Sequence, residues 1–201
     1  DLAWDAIKDL NLVDTAGWVT PYKVPTFEAA LDWAKGKTVL QVDFKRTASF
    51  EDTIALIRAK DMADHVILIA YSQGQATKLH ELAPEMLISY SISKPGDLDE
   101  IIAAGVPADR IVAFTGTRLA RPDLFASLDE QDVEVIFGTL GRPSVSIDGA
   151  IERFGTPERY AELSEGGVDV LATDRGRAAA RALGEAGRLP EVGQCGVGRS
   201  E

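Results

Sequence analysis

Val39-Leu40-Gln41-Val42-Asp43-Phe44-Lys45 opens a regular series of strands and helices that occupies the rest of the chain. Leu40, Val42 and Phe44 are apolar and alternate with Gln41, Asp43 and Lys45, the two-residue period of an extended strand. The three polar side chains therefore share one face, with an acid and an amine about 7 Å apart at the strand's C-terminal end. Opposite charges at that spacing can hold a metal ion and the anion it binds. They can equally form the solvated face of an edge strand.

Downstream, Ser49 is suited to cap a helix running to about Lys60, and His65-Val66-Ile67-Leu68-Ile69-Ala70 reads as a strand buried on both faces. The pattern continues with strands at 87–92, 110–114, 133–138 and 168–173, separated by helices that include one capped by Asp97, one near 119–128, one near 156–165 and one from about Arg177 to Ala186. Upstream, Asp1 to Leu12 has helical spacing, 17–22 is a loop, and Thr26 caps a helix from Phe27. Strands alternating with helices predict parallel pairing through right-handed crossovers, as a doubly wound sheet or a (β/α) barrel. The sequence has no Gly-x-Gly-x-x-Gly and no P-loop. Polar residues recur just past the strand ends (Asp43 and Lys45, Ser72, Ser91, Thr115, Thr139, Asp174), where a barrel gathers its active site, so the expectation is an α/β, (β/α)8 TIM barrel.

Of 201 residues 45% are hydrophobic, enough for a single core over residues 1–186, with the Gly-rich stretch 187–201 expected to be a flexible tail. The net charge of -11, from 21 Lys plus Arg against 32 Asp plus Glu, argues against nucleic acid as a partner but not against a small phosphate ester. One cysteine, Cys195, permits neither an intrachain disulfide nor a Cys-based zinc cluster. No apolar run reaches the roughly 20 residues of a membrane span, and no signal peptide is visible. The expectation is a soluble protein of the cytoplasm, the periplasm or the exterior, of undetermined oligomeric state.

Several segments resemble the C-terminal two-thirds of a glycerophosphodiester phosphodiesterase domain. Lys23 to Leu31 is similar to the family's "iPTLeevL" helix and Val39 to Lys45 to its "lniEiK" strand. Val66 to Ser72 resembles "viisSF", Val135 to Gly141 stands where "vWTVN" is found, and Gly167-Val168-Asp169-Val170-Leu171-Ala172-Thr173-Asp174-Arg175 resembles "GvDgiiTDrP". The resemblance implies that the chain covers about strands 3 to 8 of the barrel. It implies a hydrolase that cleaves small glycerophosphodiesters to glycerol 3-phosphate and an alcohol with Mg²⁺ or Ca²⁺. Carried over, Asp43 is the metal-ligand candidate, Lys45 the catalytic and phosphate-binding candidate, and Phe137 and Thr139 the candidates for the substrate pocket. Asp43 replaces the family's usual Glu, and the "HRG", "ELD" and "HD" motifs lie before the matched region.

The two histidines, His65 at a strand's start and His80 on a helix, read as structural or solvent-facing. Asp174 is open to two readings, as the N-cap of the last helix or as a lining of the pocket. Ser72 lacks a nucleophile elbow. Two other functions remain open: a non-catalytic barrel that binds a phosphoester or a partner, and a phosphoinositide phospholipase C-like barrel. For the latter the sequence offers no lipid-facing apolar ridge.

Overall fold

The structure is a computed structural model that describes residues 2–189. It opens with a short helix α1 (Trp4–Ile7) and an antiparallel hairpin of β1 (Asn11–Val13) and β2 (Val19–Lys23). The long helix expected over 1–12 is absent. Leu2 and Leu10, which would have formed its apolar stripe, are exposed, and an amphipathic helix without a surface to pack on gains little. The Asp14 carboxylate instead accepts from the N–H groups of Ala16 and Trp18 at 2.9 Å each, closing the hairpin turn.

Beyond it run α2 (Phe27–Ala34), β3 (Leu40–Asp43), α3 (Phe50–Ala59), β4 (Val66–Ala70), α4 (Gln73–Leu82) and β5 (Leu87–Ser91). Then come α5 (Pro95–Ala103), β6 (Ile111–Phe114), α6 (Pro122–Asp129), β7 (Val135–Gly138), α7 (Ile147–Phe154), α8 (Arg159–Glu165), β8 (Val170–Ala172) and α9 (Gly176–Glu185). Thr26, Ser49 and Ser72 each accept from a backbone N–H in the first turn of the helix that follows. Asp97 lies inside its helix instead and reaches back to the N–H groups of Ser93 and Lys94. Helix α7, capped by Ser146 and ended by Gly155 at φ +65°, stands where no helix was expected.

The six strands from β3 to β8 form one sheet in strictly sequential order, every neighbouring pair parallel. A doubly wound sheet reverses its strand order at a switch point; this one does not. The main core lies between sheet and helices, where Val42, Leu68, Ile88, Ala113 and Phe137 meet Ile54, Leu79, Ile101 and Phe125. The opposite, concave face carries only a small cluster of Ile67, Leu87, Val112 and Ile136. Helices on one face and a thin apolar lining on the other make this sheet an arc of a (β/α)8 barrel. No helix among the described residues is long and apolar enough to cross a membrane. Arg188 is tied to Ser164 by its guanidinium, so the first part of the expected tail is held; Cys195 and the rest of 190–201 lie outside the described residues.

Candidate active site

Strand β3 sorts its side chains as its alternation predicts: Val42 and Phe44 enter the main core, while Gln41, Asp43 and Lys45 remain exposed. At its C-terminal end the Lys45 ammonium pairs with Asp43 Oδ2. Parallel register sets Asp43 beside Ile69, so the chain leaving β4 carries Tyr71 alongside, and its hydroxyl donates to Asp43 Oδ1 at 3.1 Å. Tyr71 is the member of this cluster that sequence reading missed. Its signal was an aromatic one residue past the end of the adjacent parallel strand.

The hydrogen bond from Lys45 holds the Asp43 carboxyl below the usual carboxylate range; partial burial opposes this and the Tyr71 hydroxyl adds to it. The same pair raises Lys45, and burial followed by the bond to Asp43 raises Tyr71. At neutral pH the three are carboxylate, ammonium and phenol. Beside them a cavity of about 250 Å³ opens on the concave face, lined by Gln41, Ile69, Tyr71, Ser91, Phe114 and Leu140 among others. It is mostly apolar, with a few convergent hydroxyl and amide groups.

Phe137 and Thr139 do not line this cavity. Strand parity turns Ile136 to the concave face and Phe137 to the helices, where it is 0% exposed and packs 6.1 Å, centroid to centroid, from Phe125. Leu140 stands at the cavity instead. Thr139 is fully buried, its carbonyl accepting from Asp148 N–H at 2.9 Å.

Asp148 is a buried acid that sequence reading did not single out. Its carboxylate accepts from Tyr160 OH at 2.9 Å, Thr173 Oγ1 at 2.8 Å and Asp174 N–H at 2.8 Å. Burial pushes its pKa up, but the hydrogen bonds from Thr139, Thr173, Asp174 N–H and Tyr160 outweigh that, and the net shift is downward. Its helix sits so close to the preceding loop that a Cβ on Gly149 would lie 1.9 Å from the carbonyl oxygen of Pro143. The Gly-Val-Asp…Thr-Asp-Arg stretch is thereby a clasp for the last strand. Asp169 accepts from Val135 N–H, Thr173 binds Asp148, Asp174 accepts from Gly141 N–H, and Arg175 pairs with Glu152. Asp174 does not cap α9, whose N-cap is Arg175.

Neither histidine reaches the Asp43 cluster by position. His65 precedes β4, at the end of the sheet opposite Asp43, and His80 lies on the outer helix α4; both Nδ1 atoms are buried without a partner. A divalent ion such as Mg²⁺ or Ca²⁺ takes six or more oxygen donors. Among the described residues no three His, Cys, Asp or Glu side chains come together to hold one, and both Asp43 oxygens are already engaged. The described residues do not by themselves fit a metal.

No protein-family model matches the sequence, and no curated protein does. Solved structures do match the fold. A glycerophosphoryl diester phosphodiesterase from Parabacteroides distasonis superposes with a TM-score of 0.77 at 24% identity, over 95% of this chain and 65% of that one. A glycerophosphodiester phosphodiesterase from Agrobacterium tumefaciens gives 0.67 at 16% identity, over 90% and 72%. A second Parabacteroides distasonis glycerophosphodiester phosphodiesterase gives 0.63 at 18% identity, over 93% and 73%. The chain has the fold of these barrels and spans about two-thirds of their length.

Proposed function

We propose that the protein is a phosphodiester hydrolase acting on glycerophosphodiesters, releasing glycerol 3-phosphate and an alcohol. The supporting observation is the Asp43–Lys45–Tyr71 cluster at the C-terminal end of the barrel arc, the end at which enzymes of this architecture carry their sites. The bond to Asp43 raises the Lys45 pKa and holds its ammonium at the end of β3. A phosphoryl oxygen placed there meets a fixed positive charge that strengthens its hold as charge grows in the transition state. The apolar cavity alongside takes the carbon skeleton, with Gln41 and Ser91 placed for its hydroxyls, and leaves the phosphoryl group at the open mouth where water can attack it. The described residues offer a divalent ion only Asp43.

Release of glycerol 3-phosphate from glycerophosphocholine, with Mg²⁺ or Ca²⁺ added, tests this reading. No product above the enzyme-free control ends it. A second reading, a barrel that binds a phosphoester without cleaving it, is favoured by the engagement of both Asp43 oxygens and the distant histidines. Saturable binding of glycerophosphocholine with no turnover selects it.

A further inference from the structure

Charge on this acidic molecule is sorted by end. The connections leaving the C-terminal ends of β3 to β8 carry Lys45, Arg46, Lys94, Arg118, Arg121, Arg142 and Arg175, with Asp174 the one carboxylate among them. The connections entering these strands at the opposite end carry eight carboxylates, Asp61, Asp64, Glu85 and Asp109 among them, against four cations, Lys35, Lys37, Lys60 and Arg110. Several acids near the cationic end are engaged by hydrogen bonds: Asp97, Asp174 and Asp14 accept from backbone N–H groups, and Asp43 from Lys45 and Tyr71. Asp123, at the head of α6, and Glu51 and Asp52, at the head of α3, are exposed at the same end, Glu51 paired with Lys78. Among the described residues no carboxylate pairs with Arg46, Arg118 or Arg142.

The same end presents large apolar tips. Leu119 is 72% exposed, Val145 82% and Trp18 74%. Leu119 follows Arg118 in the β6–α6 connection, which Arg121 anchors by donating to the carbonyls of Ser93 and Thr115. Val145 donates its N–H to the carbonyl of Arg142 at 2.9 Å, a turn that keeps tip and cation together. Trp18 closes the β1–β2 turn, which reaches this end because Thr15 shares a cavity with Gly141, Pro143 and Ser146.

We propose that this end docks on an anionic lipid surface, with Leu119, Val145 and Trp18 entering the headgroup layer and Arg118 and Arg142 meeting lipid phosphates. Paired apolar and cationic side chains are what the interface of a charged bilayer rewards. The overall charge of -11 does not forbid it, since fields beyond a Debye length of about 10 Å are screened and Arg118 and Arg142 stand beside the apolar tips themselves. A soluble polyanion would use the arginines and leave the apolar tips idle. The surface surrounds the cavity mouth, so docking would present the site to material at the membrane.

Flotation of the 201-residue chain with vesicles separates the outcomes. Vesicles of equal parts phosphatidylcholine and phosphatidylglycerol should carry the protein up at low salt, and pure phosphatidylcholine should not. Leu119→Ser and Val145→Ser should each lower the partition coefficient by about fivefold to tenfold. Arg118→Glu with Arg142→Glu should remove binding, each lost arginine alone counting for about fivefold. Circular dichroism checks that the variants fold. Failure of the wild type to float overturns the proposal. So does binding that ignores both serine variants and is competed away by soluble polyphosphate, which would mark a polyanion site. Turnover is not read, so either result leaves the phosphodiesterase reading to its own assay.

Discussion

The Thr173 hydroxyl lies 2.9 and 2.8 Å from the two carboxylate oxygens of Asp148, joining the end of β8 to the first turn of α7. That contact, with the Asp174 N–H on the same carboxylate, fixes the sheet's last strand at the end where the candidate site stands. The closing Gly-Val-Asp…Thr-Asp-Arg stretch is thus engaged in holding the fold, while the candidate chemistry sits on β3 and β4.

Asp148→Ala should destabilise the protein by about 3 kcal/mol, because it leaves the buried Tyr160 hydroxyl, the part-buried Thr173 hydroxyl and an N–H without an acceptor. Urea denaturation measures it. A change within experimental error would show that the clasp is not structural.

Asp148 also predicts an acid limb in stability. Its folded pKa lies below the ordinary 3.8, so the native state holds the charged form more strongly than the unfolded chain does. The stabilisation is fully present above 3.8 and is lost as pH falls through 3.8 toward the lower folded value. Denaturation midpoints across that window should fall in the wild type and fall less steeply in Asp148→Asn.

Lys45→Ala should lower kcat/KM toward glycerophosphodiesters by about 10²-fold, the scale of losing one charge-stabilising group. Tm should hold, because the Lys45 side chain is 78% exposed and the Asp43 side chain 32%, and exposed pairs contribute little. A lowered Tm with unchanged kcat/KM would make the pair structural.

Carboxyl-carbon NMR should show the apparent pKa of Asp43 rising in both Lys45→Met and Tyr71→Phe, and rising further in the former, since Lys45 is the larger cause of its depression. The reverse order would mean that the phenol, not the ammonium, governs this carboxylate.

Alternation was enough to place β3 and the face bearing Asp43 and Lys45, because one-sided burial imposes a period of two on the sequence itself. A continuous apolar run likewise marked β4, and alternation of strand and helix patterns implied parallel order. The N-terminal hairpin was hidden because Leu2, Ala6 and Leu10 share a helical spacing, and spacing says nothing of whether a core exists to receive it. Phe137 could not be assigned to the cavity or the core from composition, since a strand buried on both faces has no polar residues to reveal its parity. Tyr71 and Asp148 acquire their roles from partners 28 and 25 positions distant, Asp43 and Thr173. The apolar tips Trp18, Leu119 and Val145 form no ridge in sequence; three separate loops bring them to one end. What local periodicity records, the sequence determined by itself; what depends on which elements become neighbours, only the tertiary structure decided.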